Sequence, residues 1–470
     1  MQEVQLLKAE AEYHYDVDIA RMEEALRPGE KIIVYLYPTA DSKRRFIGTA
    51  TTNIAKPWRK EIHLTLDSFD GTFRHELVHV LASNVGVPII CASTRMGLNE
   101  GFAVAVDWSW ENFSPHQYAA ALQRDNLLGD PAELFAYTGF ATQQSSYAYI
   151  VAGSFSRYLI DRFGVKSFKE VFPSGHFVEV YGLSLNTLVS EWEEFLKTVD
   201  VSALPPETVK TLFLQQSIFR KTCARVTAER NSKAVQAIRV KNYQDAEIEF
   251  SASFDDARTS FALRGLFQAL MNQGKNSQVI EQYNGLDARS MLRYNPGILF
   301  LFGDALWLQG NVLEALAVYR HVGEMNYSRA FSEAAAVRRL IVRDPRMNSA
   351  FREYFYGNAS DSLRAEILRR LSGINDARSV AGYLKAEELF RSKRYHEAGM
   401  MFSSLATAFQ DQELSLACLM SAGECYYRSQ EFEQAKSMFW EAQNYTHTAA
   451  MLMHLKEWIE RCDIIAGDIS

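Results

Sequence analysis

The fold of the first part of this chain is decided by one stretch, Thr72-Phe73-Arg74-His75-Glu76-Leu77-Val78-His79-Val80-Leu81. Its apolar residues recur at the spacing of a helix, which predicts a buried helix. Residues four apart share a helix face, so His75 and His79 can point at one atom, and two neutral imidazoles supply half of a zinc site. Glu76 lies about 100° further around the helix, beside the metal, where it can take a proton from water.

A catalytic zinc needs three protein ligands and one open position. Glu100 is the candidate third ligand. It lies in the phrase Asn99-Glu100-Gly101-Phe102-Ala103, which begins a second apolar helix running to about Trp110. The residues Asn84, Gly86 and Pro88 break the helix between the two motifs, so the chain can turn back on itself. The sequence therefore predicts two neighbouring helices that bring His75, His79 and Glu100 to one zinc ion.

The motif His-Glu-x-x-His at 75–79, followed by Asn-Glu-Gly-Phe-Ala at 99–103, resembles the gluzincin metallopeptidases, the clan of thermolysin and aminopeptidase N. In style it is most similar to the compact bacterial peptidase MA-like domain. The resemblance covers roughly residues 10–200. It implies an α+β zincin-like (thermolysin-like) fold, zinc as the cofactor, and a peptide or protein substrate. The alternative is a helix with two surface or core histidines, which leaves the Asn-Glu-Gly phrase unexplained.

A tyrosine of gluzincins donates a hydrogen bond to the oxyanion of the reaction. Residues 145–163 predict a long amphipathic helix ended by Gly164, and they resemble the family's Tyr-x-x-small-small-Ser-Phe-x-x-Tyr-Leu helix. Tyr149 matches best, five residues before Ser154, and Tyr147 is the rival. Aromatic residues on an amphipathic helix also commonly serve the core, which is the alternative for both tyrosines.

The chain departs from its relatives at two places. Thermolysin-like enzymes carry an aspartate four residues after the ligand glutamate, and here that residue is Val104. Asp107, seven residues after Glu100 and on about the same face, is the candidate for orienting a ligand histidine. The Gly-x-Met-Glu-Asn motif with which aminopeptidases hold a free amine does not precede His75. Its absence favours an endopeptidase, or a narrow peptide-processing role, over an aminopeptidase, although Glu61 or another glutamate could substitute.

The remaining elements of this half are predicted from local patterns. We expect a helix at 17–26 and a strand at 31–37, followed by a loop-rich basic segment at 40–60 that is either solvated or a lip for anionic substrate. The alternating residues 61–66 predict a half-buried strand. The resemblance to gluzincins implies that this strand borders the cleft and can pair with extended substrate, with His63 lining the cleft or facing outward. Asp70 or Thr72 is expected to cap the zinc helix, and Ser114 to cap a helix beginning at Pro115.

The carboxy-terminal half repeats a small residue followed four positions later by an aromatic one. The five pairs are Ala246/Phe250, Val279/Tyr283, Ala315/Tyr319, Ala398/Phe402 and Ala435/Phe439. Their spacings of 33, 36, 83 and 37 residues hide a degenerate copy near 345–375. Twelve residues earlier, Gly303, Ala386 and Gly423 mark close helix crossings. The period resembles that of tetratricopeptide repeats and implies an all-α solenoid that binds a protein or peptide partner, or a rod that only positions the peptidase.

The domain boundaries follow from these patterns: a metallopeptidase-like domain at 1–200, a linker and first helix at 201–230, and repeats at 231–470. The net charge of −7 without a basic block argues against nucleic acid as a partner. The five cysteines form no Cys-x-x-Cys and predict buried free thiols, with Cys91 near the metal as a lesser alternative.

No signal or membrane-spanning segment is visible. Relatives often carry one ahead of the peptidase, so membrane association is expected only through such a segment. Its presence before residue 1 would indicate the bacterial cell envelope, and its absence the cytoplasm.

The leading hypothesis is a zinc-dependent peptidase in which His75, His79 and Glu100 hold the metal, Glu76 is the general base, and Tyr149 or Tyr147 stabilises the oxyanion. The repeats would bind or position a protein. The alternative hypothesis is a non-catalytic scaffold or adaptor that binds protein partners through the repeats. The glutamate at position 76 favours the enzyme, because a purely structural zinc needs no general base.

Overall fold

The computed structural model describes residues 2–50, 52–108, 112–214, 224–356 and 360–469. Over these residues the structure is mostly helical, with one small sheet, and its second half is built from helical repeats. The chain divides into two compact units, the first comprising Met1–Ser202 with Gly467–Ser470 and the second Ala203–Ala466. Within the described ranges, no helix is both long enough and apolar enough to cross a membrane.

The first unit contains a three-stranded sheet and a set of helices around it. The strands are β1 (Ile33–Tyr37), β2 (Ile54–Lys56) and β3 (Glu61–Thr65). The helices are α1 (Gln2–Met22), α2 (Ala40–Ile47), α3 (Phe69–Ala82), α4 (Met96–Asp107), α5 (Pro115–Arg124), α6 (Gly139–Thr142), α7 (Ser145–Val171), α8 (Phe177–Tyr181) and α9 (Leu185–Leu196).

Strand β3 is the centre of the sheet, parallel to β1 on one side and antiparallel to β2 on the other. All five of its residues are buried, so the prediction of a half-buried strand was wrong. The alternation in the sequence reflects polar side chains that find partners inside the protein. Glu61 is paired with Arg59, His63 with Tyr37, and Thr65 with Ser68. A buried polar side chain is tolerated where such bonds replace water.

Helix α3 is the predicted zinc helix, and it packs against β2 and β3. It begins at Phe69, and the preceding Ser68 makes no side-chain cap to it. Asp70 and Thr72 therefore lie inside the first turn, and the prediction that one of them is the N-cap was wrong. The helix ends at Ala82, just before Asn84 and Gly86, as the helix breakers indicated.

Two further segments differ from the sequence prediction. Helix α1 continues from Gln2 to Met22, whereas the pattern suggested 17–26, and its end coincides with a positive φ of 48° at Glu23. The segment 40–60, predicted to be loop, contains α2 and β2. A capping box between Thr39 and Ser42 starts α2, and Gly48 ends it at φ 83°. In contrast, the capping of α5 by Ser114 with Pro115 in the first turn is confirmed.

Helices α4 and α7 approach so closely that only glycine fits at two positions between them. A Cβ atom on Gly101 would lie 2.4 Å from Ser156 Oγ, and one on Gly153 would lie 2.1 Å from Val104 Cγ1. Gly101 follows Glu100 directly, and Gly153 lies one turn after Tyr149. The contact therefore brings these two candidate site residues together. Further along α7, Gly164 has the non-helical conformation φ 83°, ψ 154°, at the predicted end, although helix resumes to Val171.

The second unit consists of successive helices. They are α10 (Pro206–Phe213), α11 (Ala224–Arg239), α12 (Tyr243–Ala257), α13 (Ser260–Asn272), α14 (Asn276–Asn284), α15 (Pro296–Gln309), α16 (Val312–Glu324), α17 (Arg329–Arg343), α18 (Pro345–Tyr356), α19 (Asp361–Ser372), α20 (Asn375–Arg391), α21 (Tyr395–Leu405), α22 (Gln412–Arg428), α23 (Phe432–Ala442) and α24 (Ala449–Ile469). The predicted degenerate repeat near 345–375 falls on α18 and α19.

The repeated small and aromatic residues form the core between these helices. Every one of the ten residues in the five pairs is at most 7% exposed. The two glycines twelve positions earlier receive the aromatic rings. A Cβ atom on Gly303 would lie 2.9 Å from the ring of Tyr319, and one on Gly423 would lie 2.5 Å from that of Phe439. The recurring pattern is thus a recurring helix contact, as in helical repeat arrays.

Candidate metal centre

Three side chains from two helices converge in the first unit. Glu100 Oε2 of α4 lies 3.1 Å from His75 Nε2 and 3.4 Å from His79 Nε2, both on α3. One ligand atom from each of the three lies within 4.8 Å of the others, and each side chain retains partial exposure to solvent. The two imidazoles meet edge to face at 4.9 Å between ring centroids. The structure therefore brings together the three residues that the sequence nominated as ligands.

The donor set and its spacing fit zinc. Imidazole nitrogen and carboxylate oxygen bind zinc at about 2.0–2.2 Å, so neighbouring ligand atoms of a tetrahedral site lie about 3.3–3.5 Å apart. Of the two distances to Glu100 Oε2, that from His79 at 3.4 Å lies within this range and that from His75 at 3.1 Å lies just below it. Three protein ligands leave a fourth position for water or substrate, which is the arrangement of a catalytic site.

The two neighbouring histidines stabilise the ionised form of Glu100. Burial by itself raises the pKa of the Glu100 carboxyl, but His79 and His75 outweigh burial and hold that pKa well below its usual range. The same carboxylate outweighs burial at His79 and raises the pKa of that imidazole. The ionised Glu100 is ready to bind a cation, whereas His79, whose protonated form is favoured by Glu100, must release its proton when zinc binds, since ligands of zinc must be deprotonated.

Glu76 lies next to this group without belonging to it. It is 8% exposed and is not one of the three clustered ligands. Its charge nevertheless acts on His79 and on the Tyr149 hydroxyl. This is the position in which a general base can act on water at a metal while leaving the coordination to others.

The two candidate tyrosines of α7 occupy different surroundings. The Tyr149 hydroxyl forms a hydrogen bond with Glu100, and its ring centroid lies 5.9 Å from that of His75. Burial and the charge of Glu100 raise the pKa of the Tyr149 hydroxyl, which keeps it a proton donor. The Tyr147 hydroxyl donates instead to the backbone carbonyl of Leu128. Of the two, Tyr149 is the one that the structure brings to the metal ligands.

Asp107 lies in a buried ion-pair network below the site. Its carboxylate is 3.7 Å from Arg74 Nε, and Arg74 Nη2 is 3.1 Å from the fully buried Asp18. Arg21 also donates to the backbone carbonyls of Val106 and Asp107. These contacts tie α1, α3 and α4 together and so fix the two ligand helices. The predicted role of Asp107 in orienting a ligand histidine stays a prediction.

His63 is enclosed within the sheet. It is 4% exposed, stacks on Tyr35 at 4.7 Å, and contacts Tyr37 through Nδ1 at 3.0 Å and Glu61 through Nε2 at 3.3 Å. Burial lowers the pKa of the imidazole in spite of Glu61. Of the two alternatives for His63, the outward-facing position was therefore wrong.

Two residues near the site have contacts that the sequence pattern does not indicate. Asn99 exchanges two hydrogen bonds with the backbone of Ser93, at 2.9 and 3.1 Å, which fixes the loop before α4. Lys43 of α2 is fully buried and donates to Asn53 at 2.7 Å. Burial lowers the pKa of this ammonium, and the charge of Glu76 opposes that effect. The sequence predicts that a lysine in a basic segment is exposed to solvent. The burial of Lys43 becomes evident only when α2 is seen packed in the fold.

The cysteines divide by location. Cys418, Cys425 and Cys462 are buried free thiols, as predicted, and Cys223 lies outside the described residues. Cys91 is only partly buried, and its sulfur lies 3.5 Å from the backbone carbonyl of Pro88. It is not part of the described three-residue ligand group, and the prediction of a core cysteine at this position was wrong.

No protein-family model matches the chain, and no curated protein matches it. Among solved structures, a tetratricopeptide repeat protein from Parabacteroides merdae matches at 16% identity, covering 51% of this chain and 100% of that one, with a TM-score of 0.23. A TM-score this low carries no argument about fold or function.

Proposed function

We propose that this protein is a zinc-dependent peptidase whose catalytic centre is the His75–His79–Glu100 group. The observation that carries the proposal is the convergence of these three ligand atoms, with Glu76 beside them and the Tyr149 hydroxyl on Glu100. A structural zinc would require neither an adjacent carboxylate outside the ligand group nor an open fourth position. Both features support hydrolysis as the function of the site.

Each residue has a distinct task in the proposed reaction. His75, His79 and Glu100 would hold the zinc, which when bound lowers the pKa of water and polarises the scissile carbonyl. Glu76 accepts the proton of the attacking water and delivers it to the leaving amine. Tyr149 donates a hydrogen bond to the oxygen on which negative charge develops. The Arg74 network with Asp18 and Asp107 keeps α3 and α4 in register.

The sheet indicates how a peptide would lie across the site. Both edges of β3 are already paired, so β3 cannot take up substrate as the sequence suggested. Strand β2 is an edge strand, and within the described part of the chain no strand lies beyond it. Helix α3 packs against β2. An extended peptide added to the outer edge of β2 would thus run close to the zinc helix.

The surroundings of Glu61 favour internal cleavage. An aminopeptidase needs a free carboxylate to hold the amino terminus of its substrate. The Glu61 carboxylate lies 2.8 Å from Arg59 and 3.8 Å from Lys56, and it also contacts His63. Because its charge is already matched, Glu61 does not serve as a substitute for the missing motif. We therefore propose an endopeptidase.

Cleavage of a mixed peptide library by the zinc-loaded chain tests this proposal. We expect internal cuts, detected by mass spectrometry of the new termini, which disappear when a chelator removes the metal. Stepwise loss of amino-terminal residues would contradict the endopeptidase, and an intact library would contradict the peptidase.

Replacing Tyr149 by phenylalanine is expected to lower kcat by about 10²- to 10³-fold, because one donor to the developing oxyanion is lost. The measurement is steady-state cleavage of a peptide identified in the library. Tyr147→Phe is the matched control, since that hydroxyl donates to the backbone of Leu128. It should change stability more than kcat. A larger kcat loss in Tyr147→Phe than in Tyr149→Phe would reverse the assignment.

A second candidate function is a scaffold that binds protein partners through the second unit. The observation in its favour is the helical repeat array itself, because stacked repeats present extended binding surfaces. The two functions make different demands on Glu76. A scaffold would bind its partners equally well with glutamine at that position, whereas a peptidase would lose its activity.

A further inference from the structure

The second unit contains a cavity of about 620 Å³ that is separate from the metal centre. Its walls come mainly from α11, α13, α15, α17 and α18. We call it the arginine groove and define it by Arg239, Arg264, Phe261, Phe300, Arg338 and Phe355. Its volume lies within the range of about 300–1,000 Å³ in which proteins enclose small ligands or a few side chains of a peptide.

The charge of the groove is positive and uncompensated at its rim. Among the residues that the structure describes, three arginines and no aspartate or glutamate line it. Arg239 of α11 and Arg264 of α13 are both exposed. No carboxylate among the described residues lies within ion-pair distance of either. Arg264 lies directly over Gly297, where a Cβ atom would come within 2.7 Å of its Nε. Two guanidinium groups are thus presented to a ligand, and no carboxylate in the described part of the chain competes for them.

The third arginine of the groove, Arg338, forms its floor, and its charge is neutralised by a buried aspartate. Arg338 donates to the fully buried Asp304 at 2.9 and 3.2 Å, and the hydroxyl groups of Tyr319 and Tyr356 donate to the same carboxylate. Burial and the charge of Asp304 raise the pKa of both hydroxyls. Asp304 is satisfied by four donors, so it does not repel an anion in the groove above it.

The walls between the arginines are aromatic. Phe261 is 52% exposed, and Phe300, Phe331 and Phe355 are partly exposed. Phe355 stacks on the Arg338 guanidinium at 3.5 Å from its ring centroid. Arginine is enriched among the residues that dominate the binding energy of protein interfaces, and phenylalanine is enriched at interfaces relative to the rest of the protein surface. The groove therefore offers an apolar contact and an anion contact side by side.

We propose that the arginine groove binds a peptide segment in which acidic side chains flank an aromatic or long aliphatic side chain. The apolar side chain would pack among Phe261, Phe300 and Phe355, and the carboxylates would pair with Arg239 and Arg264. This proposal deepens the binding candidate for the repeats and does not depend on the metal centre. Nucleic acid fits less well, because two free arginines are few for a phosphate backbone and the chain carries a net charge of −7.

Three blocked fluorescent octapeptides test the proposal by anisotropy. They share the same phenylalanine and leucine positions, and all other positions are glutamate in the first peptide, glutamine in the second and lysine in the third. The full-length chain carries Glu76→Gln so that the probes stay intact. We expect the glutamate peptide to bind about tenfold or more tightly than the glutamine peptide, and the lysine peptide to bind least. The preference should fall as salt rises.

Single substitutions assign the binding to the groove. Arg264→Gln should weaken binding of the glutamate peptide by about tenfold and leave the glutamine peptide nearly unchanged. Arg320→Gln is the matched control, an exposed arginine on α16 that does not line the groove, and it should have no effect. Equal affinity for the glutamate and glutamine peptides, or equal losses in both arginine variants, would overturn the proposal. So would tighter binding of a uridine oligonucleotide that displaces the peptide. The arginine substitutions should not change the zinc content of the protein. A negative result in the peptide-binding experiment would therefore not count against the proposed peptidase.

Discussion

Substitution of Glu76 by glutamine is expected to reduce peptide cleavage by about 10²- to 10⁴-fold while zinc remains bound. Glutamine has the same shape as glutamate, so it fits a site that is only 8% exposed. It cannot accept the proton of the attacking water. Because Glu76 lies outside the three-residue ligand group, its replacement should leave the metal in place. The measurement is kcat on a peptide from the library, with zinc content and the circular dichroism spectrum of the same preparation.

The matched control is Glu194→Gln, which removes an exposed carboxylate of the first unit that pairs with Lys197. This variant should cleave at the wild-type rate. If Glu76→Gln lost its zinc together with its activity, Glu76 would have to be assigned to holding the metal. A Glu76→Gln chain that cleaves as fast as wild type would contradict the proposed mechanism altogether.

Asp304→Ala is expected to lower the free energy of unfolding of the second unit by about 3–5 kcal/mol, because it leaves the Arg338 guanidinium buried without its partner. Asp304 is 0% and Arg338 6% exposed, and the nearest atoms of the pair are 2.9 Å apart. The Tyr319 and Tyr356 hydroxyls lose the same acceptor. Urea unfolding of the full chain, followed by circular dichroism, measures the change as an earlier transition of the helical signal.

A double variant and a surface variant complete this test. Asp304→Leu combined with Arg338→Met removes both charges and should recover part of the loss, since an apolar pair costs less than one unpaired buried charge. Glu366→Ala removes an exposed ion pair with Arg369 and should leave unfolding unchanged. An Asp304→Ala protein as stable as the Glu366→Ala protein would show that the buried pair does not stabilise the repeats.

The helical parts of the structure were largely predictable because their signals are periodic. The spacing of His75 and His79 requires a helix face, and the small and aromatic pairs of the repeats require packed helices. Local periodicity does not determine whether Glu100 comes close to these histidines. That approach depends on the turn between α3 and α4, and the approach of Tyr149 depends on the contact at Gly101 and Gly153.

The sheet and its surroundings were harder to predict, because their residues find partners far along the chain. Glu61 and His63 look like the outer face of a strand, yet each is buried by partners such as Arg59 and Tyr37. Lys43 looks like part of a solvated basic segment, yet it is enclosed beside Asn53. A periodic sequence pattern indicates which face of a strand or helix carries polar side chains. It does not record whether a distant side chain or water satisfies that polarity.

Metal content per chain tests the central claim most directly. The wild type and Glu100→Ala are purified without added metal, dialysed against zinc and then against buffer, and measured by elemental analysis. We expect about one zinc per wild-type chain, and much less in Glu100→Ala because a three-ligand site loses one ligand. A wild-type chain that retains no zinc after dialysis would contradict the metal centre, and with it the proposed peptidase.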